Sequence, residues 1–369
     1  MRVWRLLIKR IEIKNFKSIE SMTLDLKRIN IFIGKPETGK SNILEVFGSI
    51  SFLGWVPVMV KALSLGTSSH EVEVEGKKLK LCKVYSSDLN LKRFVRFSKL
   101  EDLYFRFSTE KDVTINILGE REVSLKLKYE EGNVLVKLFS DKSEEVLAVI
   151  DSQGMLSYNE HLVRKLKLFS KVKFYGFGKF VKTISHYGEL LPPDGSNLLH
   201  VLRINGELRK HANHILESLG LKLMIMKPEG ELRIIEEMKP YGELLAIPLE
   251  LLSDTLRGVL LMLAAVKTNK GATIIFEEPE VHMFPFYVKF LAEKICMDKR
   301  NQYVISTHNP YLLLTFVEKV PLDELNVYLT SREEGVTKVV ALDRDAMRKL
   351  LEFSYDVFVN LDELMRSLS

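Results

Sequence analysis

The chain has 369 residues, 46% of them hydrophobic, enough to bury a large core in one big domain or two modest ones. Its formal charge of +5 permits an anionic partner without requiring one. Cys82 and Cys296 stand far apart with no His or Cys at metal-ligand spacing, which excludes a disulfide framework and a zinc site and points to a reducing, cytoplasmic setting.

In chain order, "MRVWRLLIKRIEIKNF" interrupts its apolar residues with charges and lacks a small-residue cleavage site. With no run of about 18 apolar residues expected later, neither secretion nor a membrane span is predicted. Residues 31–47, "IFIGKPETGKSNILEVF", then complete the pattern G-x-x-x-x-G-K-[ST] with Gly34, Gly39, Lys40 and Ser41. An apolar strand through Ile29, Ile31, Phe32 and Ile33 feeds the loop, and a helical pattern follows it. Such a loop turns its backbone N–H groups toward phosphate oxygens at a helix N-terminus. Lys35, Pro36, Glu37, Thr38 and Asn42 complete the expected nucleotide cradle, in which Lys40 reaches the β- and γ-phosphates of ATP and Ser41 ligates Mg²⁺.

From about 71 to 151, "EVEVEGKKLKLCKVY", "KRFVRFSK", "DLYFRFST", "DVTINIL", "EVSLKLKYEEGNVLVKLF" and "EEVLAVID" alternate apolar and polar residues between turns, which predicts an antiparallel meander. The basic, aromatic stretch 164–182 has the composition of a nucleic-acid track. Strand alternation accounts for most of it, with Val172 and Phe174 inward and Lys171 and Lys173 outward. Residues 196–217 read as helical and "LKLMIMKPEGELRIIEE" as a hairpin. No heptad pattern is sustained, so long coiled-coil arms are not expected.

The second half of the site starts 236 residues after Ser41, in "GATIIFEEPEVHMFP". A buried strand, Thr273 to Phe276, delivers two acids to its C-terminal edge, where open α/β sheets bind ligands. Glu277 is assigned to the Mg²⁺ shell and Glu278 to the attacking water as general base. A parallel case is "NQYVISTHNPYLL", whose strand Tyr303–Ile305 ends near His308, placed to act on the γ-phosphate or the water. Ser253 and Asp254 precede an apolar helix from about Leu256 to Val266, either as an N-cap or as a helix end receiving a γ-phosphate from a second copy. The tail predicts a hairpin over "LNVYLTSREEGVTKVVALD" and a helix from about Arg344 to Phe353. Its Asp343-x-Asp345 pair lacks the converging carboxylates that a metal nuclease needs.

These stretches, in this order, resemble the ABC-type ATPase heads of the SMC/RecF/OLD group. "NFKS" (Asn15 to Ser18) is similar to the hallmark of that group's N-terminal strand pair, and "EEPEVHMFP" and "LPPDGSNLLHVL" to its OLD-like members. The resemblance implies an α/β P-loop NTPase of the ABC-ATPase head type, with an inserted antiparallel β meander and a helical subdomain. Core halves 1–66 and 241–369 would enclose a β region (67–160) and a helix/strand subdomain (161–240). It implies Walker B acids at Glu277 and Glu278, a signature serine at Ser253, a switch histidine at His308, and Gln153 as the candidate Mg²⁺-sensing glutamine.

The implied activity is Mg²⁺-dependent ATP hydrolysis coupled to head-to-tail homodimerisation, with DNA and a partner nuclease as further partners and no membrane. Repair, maintenance or defence of DNA is the implied setting. Two positions depart from the group: Glu277 where Asp is usual, and Thr255 where a signature glycine is expected. They keep open an alternative, a nucleotide-binding switch with negligible hydrolysis that regulates an effector such as a nuclease. The scarcity of glutamine, two in all, fits a heat-adapted source.

Overall fold

The computed structural model describes residues 8–63, 67–74, 77–84, 89–140, 143–176, 187–226, 230–238 and 242–366. β1 (Ile8–Phe16) and β2 (Ile19–Asp25) alternate buried and exposed side chains, and β3 (Ile29–Gly34) is buried at every position, as a central parallel strand must be. α1 (Lys40–Leu63) follows, then the hairpin β4 (Thr67–Val74) and β5 (Lys77–Val84). The strands β6 (Val113–Gly119), β7 (Glu122–Glu130), β8 (Asn133–Ser140), β9 (Ser143–Ile150) and β10 (Leu156–Asn159) form the meander.

After the short α2 (Val163–Leu166) come β11 (Val172–Tyr175), α3 (Leu198–Ile204) and α4 (Gly206–Glu217). A small sheet follows, of β12 (Leu221–Met226), β13 (Glu231–Met238) and β14 (Glu243–Pro248), the last a strand that the sequence pattern did not reveal. The C-terminal third runs α5 (Asp254–Thr268), β15 (Thr273–Glu277), α6 (Pro285–Met297), β16 (Gln302–Ser306), α7 (Pro310–Lys319), β17 (Leu325–Glu333), β18 (Val336–Ala341), α8 (Arg344–Phe353) and α9 (Leu361–Arg366).

Two sheets sandwich α1. The nine-stranded sheet has the order β2-β1-β6-β7-β8-β9-β10-β5-β4, so the meander extends the N-terminal strand pair. The six-stranded sheet has the order β11-β15-β16-β3-β17-β18, parallel through its first five strands. Strand alternation sorts its faces: Phe32, Val304 and Ile275 join the cluster around α1, while Ile31, Ile33, Ile305 and Phe276 pack on the opposite face with α5, α6 and α7. The C-terminal ends of β15, β16 and β3 thus lie side by side, which sets the site.

Three expectations are corrected. Residues 91–107, expected as strands, form short 3-10 turns (Leu91–Arg93, Leu100–Leu103, Phe105–Phe107); the apolar spacing reflects packing of Leu91, Phe94, Leu100 and Leu103 into the α1 core rather than a ladder. Lys173, expected outward, is 3% exposed and lies 3.5 Å from Glu189, because β11 is buried on both faces; residues 177–182 of that basic stretch lie outside the described residues. A helix long and apolar enough to cross a membrane does exist, within α1 over Lys40–Val60, but 83% of that window is buried inside the protein.

Candidate active site

Gly34 and Gly39 have φ of +151° and +97°, values that L side chains rarely adopt. The loop is also pinned from outside by the β17–β18 hairpin. Thr330 Oγ1 donates to the Ile33 carbonyl and lies 2.7 Å from Thr38 Oγ1. Ser18 Oγ meets Thr337 Oγ1 at 2.6 Å and accepts from Asn42 Nδ2 at 2.6 Å. The "NFKS" turn reaches this position because Asn15 and Lys17 take positive φ, with Asn15 held by the Asp112 carbonyl at 3.1 Å. A Cβ on Gly39 would lie 2.0 Å from Thr337 Oγ1. Gly39→Ala is therefore expected to lower stability by about 2–4 kcal/mol, and Thr337→Ala in the same chain to restore part of it, measured by urea unfolding of the single and double variants.

Lys40, 4% exposed, donates to the carbonyls of Gly34 at 2.9 Å and Lys35 at 2.8 Å. Burial lowers its pKa to about 8, against the opposing pull of Glu278 and Glu280. The ammonium therefore sits in a dry pocket within electrostatic reach of both acids. Lys35, Pro36 and Glu37 form the exposed lip of the loop, Glu37 at φ +62°, and Lys35 pairs with Asp362 of α9 at 2.7 Å.

β15 and β16 pair in register, Glu277 against Ser306. The chain then leaves the strand at Glu278, whose φ is +42° and whose N–H donates to the Ser306 carbonyl at 3.1 Å. This bend brings Glu278 Oε1 within 3.5 Å of His308 Nε2. Burial and the charge of Lys40 hold the His308 pKa below its ordinary value, Glu278 opposing them, so the ring is neutral at neutral pH. Phe358 packs on that ring, centroids 6.0 Å apart. Lys40, Glu278 and His308 thus share one site.

Sequence reasoning missed a second ring of charge. Glu277 accepts from Arg96 Nη2 at 2.6 Å, and Arg96 Nε donates at 2.6 Å to Glu45. Glu45 is 1% exposed and also receives Lys17 Nζ. Its signal was available, a lone acid in an apolar helix one turn beyond Ser41; nothing local marked Arg96. Lys17, Ser18, Asn42 and Arg96, with Phe97 and Phe105, line a cavity of about 750 Å³ beside the cradle.

Ser253 caps α5 by accepting from the Leu256 N–H at 3.4 Å, and Thr255 donates to the His282 carbonyl. Among the described residues, Ser253 shares no hydrogen bond with the cradle of its own chain. Gln153 lies in the β9–β10 turn, where its carbonyl accepts from Asn90. Asp343 caps α8 through the Ala346 N–H, which accounts for half of the Asp-x-Asp pair without a metal.

Among the described residues no group of three His, Cys, Asp or Glu is placed to hold a metal. A Mg²⁺ ion bridging phosphates needs only one or two protein oxygens beside waters. The Ser41 hydroxyl and the Glu277 carboxylate are hard oxygen donors of the right kind, and Glu277 already holds a cation in Arg96.

Two family models match the chain, an "AAA ATPase domain" over residues 7–187 and an "AAA domain, putative AbiEii toxin, Type IV TA system" over residues 191–314. Between them the two matches run through most of the chain, and both are ATPase-type AAA domains. Among solved structures, it is similar to the Smc head domain with an extended coiled coil bound to the C-terminal domain of ScpA from Pyrococcus furiosus. The identity is 14%, coverage 94% of this chain and 98% of that one, and the TM-score 0.50, a likeness of fold.

Two further heads are similar. The SMC head domain from Thermotoga maritima gives 14% identity, 92% and 100% coverage and a TM-score of 0.47. An SmcHead bound to the C-winged helix domain of ScpA gives 16%, 93% and 99%, and 0.49. No curated protein matches the chain.

Proposed function

We propose that the protein binds Mg²⁺-ATP in the Gly34–Ser41 cradle and hydrolyses it, with Glu278 as general base. The observation that carries this is the convergence of Lys40, Glu278 and His308 at three adjacent strand ends. Ser41 and Glu277 would hold the metal, which supplies neutralisation of the phosphate oxygens when bound. Lys40 meets the β- and γ-phosphates, the α1 N-terminus adds its backbone donors, and the neutral His308 orients the water that Glu278 deprotonates.

The cavity beside Ser18 and Asn42 takes the nucleoside end, with Phe97 and Phe105 as apolar walls. ATP then pairs two copies head to tail through the Ser253 end of α5. The resemblance to chromosome-maintenance and recombination heads supports DNA as the object of that cycle.

The test is calorimetric titration with ATP and measurement of phosphate release, with and without Mg²⁺ and DNA. Lys40 begins with a pKa of about 8, and a phosphate raises it, so binding takes up a proton as pH rises through 8. Affinity should then fall by up to about tenfold per pH unit above that point, and the heat should depend on buffer ionisation enthalpy. Absence of ATP binding would overturn the site; tight binding with no phosphate release under any condition would make the protein a nucleotide switch for an effector.

A further inference from the structure

The sequence Glu277-Glu278-Pro279-Glu280 carries a third acid that the proposed hydrolysis does not use. Glu280 Oε1 accepts two hydrogen bonds from the switch segment, Thr307 Oγ1 at 2.7 Å and His308 N at 2.8 Å. Thr307 Oγ1 also accepts from Asn309 N at 2.9 Å, and the Thr307 N–H donates to the Phe32 carbonyl at 3.1 Å. The segment is thereby held on one side by β3 and on the other by Glu280. The second carboxyl oxygen, Oε2, is buried and has no hydrogen-bond partner among the described residues. A side chain with one oxygen fully used and the other dry is costly unless something requires it.

We propose that Glu280 is a positioning residue for hydrolysis, a clamp that fixes Thr307 and the His308 backbone so that the imidazole stays against Glu278. This rests on the ATPase function proposed above. Burial raises the Glu280 pKa, against the pull of its two donors. The three acids then differ in partner: Glu277 meets Arg96, Glu278 meets the His308 ring, and Glu280 meets Thr307 and the His308 backbone.

The role makes glutamine a faithful replacement and alanine a poor one. The amide oxygen of Glu280→Gln can accept both hydrogen bonds, so kcat should stay within about twofold of the parent. Glu280→Ala frees the segment and should lower kcat by at least about tenfold, with the Kd for ATP changed by less than about threefold. Hydrogen–deuterium exchange at Thr307 and His308 should quicken in Glu280→Ala and not in Glu280→Gln. Thr307→Val, which removes one donor while keeping the side-chain shape, should fall between them and guards against misfolding of the alanine variant.

Equal damage from Gln and Ala would show that accepting these two hydrogen bonds is not what the residue contributes and would overturn the clamp. So would unchanged kcat and exchange in Glu280→Ala. If the parent protein released no phosphate, the hydrolysis proposal would fail, and the exchange measurement would still decide whether Glu280 holds the switch.

Discussion

Lys40→Ala is expected to abolish measurable ATP binding, a loss of at least about 100-fold in Kd, or about 2.7 kcal/mol, while leaving thermal stability close to that of the parent. The two halves of this outcome have one cause. In the free protein the ammonium is 4% exposed and its pKa is lowered to about 8 by burial, so the fold carries this charge at a cost. Its hydrogen bonds to the Gly34 and Lys35 carbonyls offset that cost only in part, since the Lys35 end of the loop lies at the surface.

Removing the side chain relieves the desolvation and takes away the lysine at the base of the cradle that is proposed to meet the phosphates; hydrogen bonds to charged groups contribute about 1.5–3 kcal/mol each. Fluorescence titration with a labelled ATP analogue, beside a melting curve, makes the comparison. Retained affinity at unchanged stability would remove the cradle from the account.

Glu278→Gln should separate binding from turnover. The residue is 37% exposed at its side chain, so an isosteric amide costs little stability. It loses the proposed base, and general-base contributions of about 10²–10⁴ in rate are typical, so phosphate release should fall by that range. Affinity for ATP should hold or rise, because a carboxylate close enough to influence Lys40 also repels a γ-phosphate. The variant should accumulate ATP-bound dimers, read by light scattering. Steady-state release at the parent rate would show that another group takes the proton.

Much of this arrangement was legible because its parts are local. The loop Gly34–Ser41 needs glycine at fixed offsets between an apolar strand and a helix, and the acids need only a buried strand ahead of them; the structure has β15 at Thr273–Glu277 and β16 at Gln302–Ser306 where short apolar runs were read. What escaped was non-local. Arg96 joins Glu45 and Glu277 across 51 and 181 residues, and no pattern within its own segment predicts either partner. The turns around it were misread because burial against α1 produces the same apolar spacing as a strand. The third acid, Glu280, was in plain sight beside two others, but its bond to Thr307 depends on how two separate loops meet. Lys173 was misplaced for a related reason: alternation assigns a lysine to water, and only the tertiary structure supplies Glu189.

The threonine contacts that close the cradle bear on the order in which the protein can become active during its own synthesis. Thr38 meets Thr330 across 292 residues and Ser18 meets Thr337 across 319, and β3 gains both of its neighbours, β16 and β17, from that late part of the chain. At a translation rate of roughly 5–20 residues per second, the apolar strand spends about 15–60 s without a partner. A nascent chain halted before residue 325 therefore lacks a finished nucleotide seat, and the interval is one in which a chaperone has something to shield.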